Sequence, residues 1–176
     1  MRRTASLTAG VALLLLAACQ PSNKPQLLTG ADSTAIAKVR ADYAAAWNRG
    51  NVDGVVSLYT DDALLQQADT GALKGSNAIR TYLNSALGTP TRPVLAVTST
   101  ALTGRQDLAV DVGTFTLTPP APPAPAKGAA PAAPAPMSGK YLAVMMKQSD
   151  GRWKLTCLAS SGDAPMAPPA PAKKGR

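Results

Sequence analysis

From Asp32 to Gly88 apolar residues recur at helical spacing, and after Pro93 they alternate at every second position, so the chain reads as helices followed by strands. Ser33 can cap a first helix with apolar positions Ile36, Val39, Tyr43, Ala46 and Trp47, ending at Gly50. Asp53 can cap a short second helix carrying Val55, Val56, Leu58 and Tyr59; Ser76 opens a third with Ile79, Tyr82, Leu83 and Leu87 on its buried side. Between them YTDDALLQQADTG, residues 59–71, reads as the entry to a strand. Val94–Thr98 leads into LAVDVGTFTLT, where Leu108, Val110 and Val112 alternate and Gly113 shifts the alternation onto Phe115 and Leu117, the pattern of a bulge that bends a sheet. Tyr141–Lys147, the turn Ser149-Asp150-Gly151 and Trp153–Leu158 make a closing hairpin. Helices first, then a run of antiparallel strands, predict an α+β fold in which a curved sheet wraps around N-terminal helices.

The flanks follow other rules. Arg2 and Arg3 precede the apolar run Leu7–Ala18, which is too short to span a bilayer and fits a signal sequence. Its end, Leu16-Ala17-Ala18-Cys19, resembles the lipobox of bacterial lipoproteins; the resemblance implies cleavage after residue 18 and lipid attachment at Cys19. Gln20 in place of an aspartate favours, by the same resemblance, the periplasmic face of the outer membrane. A single acyl chain holds a protein only marginally, and a mature lipoprotein carries more than one. Residues 19–31 are then a tether, with a reach of about 20 Å. Twelve of the 16 prolines lie in Pro119–Pro136 and Pro165–Pro171, and the heptapeptide APPAPAK occurs in both. Such segments favour polyproline II or disorder and neither pair in a sheet nor continue a helix. The domain is therefore expected over 32–162, interrupted by the insert 119–136 and followed by the tail 163–176.

Composition narrows the chemistry. The sequence has neither histidine nor glutamate, so imidazole catalysis and histidine metal sites are excluded, and a general base must be an aspartate or a strongly perturbed tyrosine or lysine. Of two cysteines, Cys19 is spoken for by the lipobox, leaving Cys157 as a small apolar residue. The net charge of +8, or +6 without Arg2 and Arg3, comes from scattered cations with few aromatics among them, which suits solubility and anionic surfaces rather than nucleic acid.

YAAAWNRGNVDGVVSLYTDDALL, then GALKGSNAIRTYL, DLAVDVGTFTL and GKYLAVMMKQSDGRWKL resemble the SnoaL-like group, with the domain of unknown function 4440 as the nearest resemblance, inside the nuclear transport factor 2 and ketosteroid isomerase superfamily. The resemblance implies a cone-shaped curved antiparallel sheet folded over helices, an internal pocket and, often, a dimer through the sheet. The proline insert departs from it. In ketosteroid isomerases a tyrosine shortly before an Asn-x-Gly-Asp turn donates to the oxyanion, and Tyr43, five residues before Asn48, matches that position. The position of the general base carries Gln67, and the position of the protonated acid, loosely aligned, carries Ala143. An amide cannot accept a proton at neutral pH, so the cup is expected to lack its base.

The remaining acids divide by place. Asp61 and Asp62 sit at a helix-to-strand corner, where aspartates cap turns, and Asp69 precedes an evident turn. Asp111 either faces solvent or lines the pocket. The candidate lining is Tyr43, Trp47, Tyr59, Gln67, Asp111, Tyr141 and Trp153, with lipidation at Cys19. The expected function is a lipid-anchored envelope protein that binds a small apolar molecule or a protein partner without catalysis, with membrane contact through Cys19 and no cofactor, metal or nucleic acid. Two alternatives compete: a homodimeric scaffold of the envelope, and an isomerase or dehydratase using Tyr43 with Asp62 or Asp111.

Overall fold

Helix α1 (Gly30–Arg49) lies across the inner face of a six-stranded sheet and is fastened to it at both ends. The computed structural model describes residues 26–68, 70–89, 91–120 and 135–163. The signal segment, Cys19, most of the tether and insert, Asp69 and the tail after Asp163 lie outside them.

The first helix starts earlier than its apolar pattern suggests. Thr29, not Ser33, is the N-cap: its hydroxyl accepts from the Asp32 amide, and the Asp32 carboxylate accepts from the Thr29 amide, each at 3.1 Å. Ser33 falls in the first turn and donates to the Thr29 carbonyl. Gly50 closes the helix in a left-handed conformation (φ 67°). The short α2 (Val52–Val56) is capped by Asn51 rather than Asp53, because the Asn51 side chain reaches the Gly54 amide; Asp53 instead pairs with Arg80 of α3 (Ser76–Leu87).

The strands are β1 (Tyr59–Gln67), β2 (Leu73–Lys74), β3 (Val94–Arg105), β4 (Leu108–Thr118), β5 (Met137–Lys147) and β6 (Trp153–Gly162), ordered β2-β1-β6-β5-β4-β3. All neighbours are antiparallel except β1 and β6, which run parallel; β1 comes from the helical half of the chain and joins the sheet beside its last strand. The α+β architecture of helices against a curved open sheet matches the expectation.

The bulge lies elsewhere than Gly113. Ser99 pairs with Gly113 and Ala101 with Val112, so the extra residue is Thr100 on β3, and β4 keeps strict alternation. Ala109, Asp111, Gly113, Phe115 and Leu117 therefore share the inner face, while Leu108, Val110 and Val112 share the outer one. Those outer residues pair across β5 with Met146, Val144 and Leu142. An apolar outer face was indistinguishable from a core face in the sequence.

The core joins Ile36 and Val39 of α1, Val55 of α2, Ile79 and Leu83 of α3, and Leu65, Met145 and Leu155 of the sheet. At one end of the strands Asp32 accepts from Lys147 at 2.7 Å and from the Trp153 indole at 3.2 Å. At the other, the Asn48 side chain pairs with both the amide (2.7 Å) and carbonyl (3.0 Å) of Leu95, and the Trp47 indole donates to the Pro93 carbonyl at 3.2 Å. The helix thus bridges the sheet from β5–β6 to β3 and leaves a space beneath its middle.

Candidate functional site

That space is a cavity of about 290 Å³, walled by α1 and by the inner faces of β3 to β6. Its closed end is formed by buried residues such as Ala143, Met145 and Leu155; its exposed lining residues, among them Thr70, Met137 and Ser161, lie where the strands approach the insert. Among the described residues the cup therefore opens at that rim, at the strand ends away from Asp32.

Two glycines make the room. A Cβ on Gly113 would stand 2.0 Å from the Thr98 carbonyl and 2.7 Å from the Tyr141 ring; one on Gly139 would stand 2.4 Å from the Phe115 ring. Gly113 pairs with Tyr141 and Phe115 with Gly139, so each ring lies over the glycine of the opposite strand. Both aromatics become cavity wall instead of filling it.

Four polar groups meet in the wall. Asp111 is fully buried. Its Oδ2 accepts from the Arg40 guanidinium at 2.5 Å and the Tyr141 hydroxyl at 3.1 Å, and its Oδ1 accepts from the Ser99 hydroxyl. Three donors thus occupy about three of the carboxylate's roughly four acceptor positions. Of the two placements left open for Asp111, solvent or pocket, the inward one is found. Ala143, which the resemblance matched to the protonated acid, has Asp111 as its direct cross-strand partner, so a carboxylate enters the cup one strand over. Arg40 makes one hydrogen bond, and its other N–H groups find no partner among the described residues; with its side chain 22% exposed, they are open to the cavity.

The cavity tyrosines stay protonated well above neutral pH. Burial pushes the Tyr43 hydroxyl up to about 12, an effect the contact with Tyr59 partly offsets. Burial and then the neighbouring Asp111 charge push Tyr141 up to about 12 as well. Tyr43 stacks on Trp47 (centroids 6.4 Å apart) and meets Tyr59 edge-on at 6.2 Å. Near the rim, Gln67 accepts from the Ser160 hydroxyl at 2.7 Å.

Of the residues singled out in the sequence, Tyr43, Trp47, Gln67, Asp111 and Tyr141 come together around the cavity. Tyr59 and Trp153 do not line it. Tyr59 points behind Tyr43 into the core, and Trp153 turns to Asp32 at the closed end, with Lys147 5.9 Å above its ring. Asp61 and Asp62 are exposed on β1, away from the cavity. Sequence reading missed Arg40 and Ser99. Arg40 had a signal: it follows Ile36 by four residues and precedes Tyr43 by three, a cation on the helix's apolar stripe. Ser99 had one as well: it continues the alternation of Leu95 and Val97 on the inner face of β3, just before the bulge at Thr100.

The family profile described as SnoaL-like domain matches residues 39–156, about two thirds of the chain. No curated protein matches it. Among solved structures, a ketosteroid isomerase-like protein from Erwinia carotovora atroseptica shares the fold with TM-score 0.63 and 21% identity, covering 78% of this chain and 100% of that one. A protein of unknown function with a cystatin-like fold from Nostoc punctiforme gives TM-score 0.60 and 20% identity over 77% and 94%. An NTF-2 like protein of unknown function from Shewanella oneidensis gives 0.56 and 19% over 73% and 98%. At these identities the likeness is one of fold.

Proposed function

The chain belongs to the SnoaL-like domain family, and from that premise we propose that its cavity is a receptor for a small, uncharged, mostly apolar molecule bearing one hydrogen-bond acceptor. The observation that carries this is the buried Asp111–Arg40 pair in the cavity wall. The two charges cancel, no other ionised side chain lines the cavity among the described residues, and Arg40 retains N–H groups for an acceptor. Aromatic and aliphatic side chains make most of the rest of the wall, as in most ligand sites, with the uncharged polar side chains of Gln67, Thr70, Ser160 and Ser161 towards the rim. Turnover is not part of this reading. The isomerase or dehydratase alternative would use Tyr43 with Asp111, yet that carboxylate is engaged by three donors, whereas a base needs a lone pair aimed at its substrate.

The test is a thermal-shift screen of neutral apolar compounds against the wild type and against Val97→Trp, which fills the cavity. A compound at a hundredfold its Kd should stabilise the wild type by about 2.7 kcal/mol and leave the filled variant unmoved. Stabilisation that persists in Val97→Trp, or none across the panel, rejects the receptor.

We further propose that the protein is a lipoprotein anchored through Cys19 to the periplasmic face of the outer membrane. The order of Arg2-Arg3, the apolar run and Leu16-Ala17-Ala18-Cys19 supports it, and the resemblance to domain of unknown function 4440 belongs to the same reading. Acylation of the Cys19 peptide, seen by mass spectrometry, tests it. A homodimer through the outer sheet face is a second reading, favoured by the apolar cross-strand pairs Leu108–Met146, Val110–Val144 and Val112–Leu142. Light scattering of the wild type and of Val110→Lys distinguishes dimer from monomer.

A further inference from the structure

The proposed anchor lies just ahead of the segment that joins the domain. The Gln106 amide donates to the Gln26 carbonyl at 2.9 Å, Leu27 bridges to Arg105, and Thr29 caps α1, so the tether reaches the domain at the β3–β4 turn. That turn lies at the closed end of the cup. The rim lies at the opposite end of the same strands, with Leu117 nine residues along β4 from Leu108, a distance of about 30 Å. Between Cys19 and Gln26 there are seven residue steps, which span at most about 25 Å when fully extended.

Resting on the lipoprotein reading, we infer that the closed end of the domain faces the anchoring bilayer and that the cup opens away from it. To lay its rim on the membrane, the domain would have to invert and carry Gln26 further from the bilayer than the tether extends. The surface then turned to the lipid headgroups is the β3–β4 turn with Leu27, 73% exposed, beside Leu108 and Arg105. Charges at this end nearly balance, with Arg105 and Lys154 beside Asp107 and the Arg152–Asp150 pair, so covalent reach rather than attraction sets the orientation. The cup therefore draws its occupant from the aqueous side and not from the acyl chains of its own membrane.

The experiment uses the full acylated chain, with Cys157→Ser, in phosphatidylethanolamine–phosphatidylglycerol vesicles carrying a headgroup nitroxide. A fluorophore is placed on Gln106→Cys at the closed end or Thr118→Cys at the rim. Given the strand-length separation of about 30 Å, the label at 106 should be quenched at least about threefold more than the label at 118. Inserting about 15 Gly/Ser residues after Gln20 raises the full reach to about 75 Å and should bring the ratio towards one. Equal quenching with the native tether on acylated chain overturns the inference. A ratio unmoved by the insertion overturns the argument from reach. An unmodified Cys19 peptide in the same preparation overturns the inference together with the anchor, and its mass identifies that outcome.

Discussion

Replacing Asp111 by asparagine keeps the shape of the cavity wall but removes the charge that Arg40 faces. Breaking a buried ion pair from one side costs about 3–5 kcal/mol. Here Asp111 is fully buried, while the Arg40 side chain is 22% exposed and can recover some hydration in the cavity. The expected loss is therefore about 2–4 kcal/mol, or roughly 8–15 °C in Tm for a domain of this size. Arg40→Met should cost a similar amount, since it leaves the carboxylate in the wall with only the hydroxyls of Ser99 and Tyr141. The double variant Arg40→Met/Asp111→Leu removes both charges at once. It should cost less than the sum of the singles by at least about 2 kcal/mol, although the Tyr141 hydroxyl then loses its acceptor and keeps recovery incomplete. Urea unfolding followed by the fluorescence of Trp47 and Trp153 measures all four proteins. Single effects that simply add, or an Asp111→Asn midpoint equal to that of the wild type, would refute the paired and buried arrangement.

Other outcomes follow from the same geometry. Gly113→Ala should cost about 1–3 kcal/mol by urea unfolding and shift the aromatic NMR signals of Tyr141, because its Cβ would meet the Thr98 carbonyl at 2.0 Å; an unchanged midpoint contradicts the close approach. Lys147 first, then Thr29 and Trp153, holds the Asp32 carboxylate well below the usual range. A depressed carboxylate contributes stability that is present above its unfolded value of about 3.9 and lost as pH falls. The acid limb of wild-type stability should accordingly be steeper than that of Asp32→Asn. Tyr43, Tyr59 and Tyr141 are all raised by burial, so their contribution is complete below pH of about 10 and lost as pH rises further, for Tyr43 and Tyr141 towards 12. Tyrosinate absorbance should therefore show at least three tyrosines ionising only with unfolding.

The elements were legible where one period dominated. Ile36, Val39, Tyr43 and Trp47 announce α1, and Ser149-Asp150-Gly151 announces the last hairpin. The faces of β4 were not legible, because Leu108, Val110 and Val112 look like core while the residues between them include an aspartate. What decides the matter is long-range: the Thr100 bulge on β3 and the ion pair from α1, 71 residues away from Asp111 in sequence. The parallel pairing of β1 with β6 is of the same kind, joining segments about 90 residues apart that no local pattern connects. For the site, family resemblance pointed to Tyr43 and Gln67, both of which line the cavity. It could not show that a carboxylate stands opposite Ala143.

The central claim is that the cup holds an uncharged apolar molecule by one acceptor at Arg40. Isothermal titration of the wild type and Arg40→Met with a neutral bicyclic ketone and with the hydrocarbon of the same skeleton tests it most directly. A hydrogen bond to a charged donor contributes about 1.5–3 kcal/mol, so the wild type should prefer the ketone by at least about tenfold, and Arg40→Met should bind the two alike. Equal binding of both compounds by the wild type, or a ketone preference that survives Arg40→Met, would contradict it.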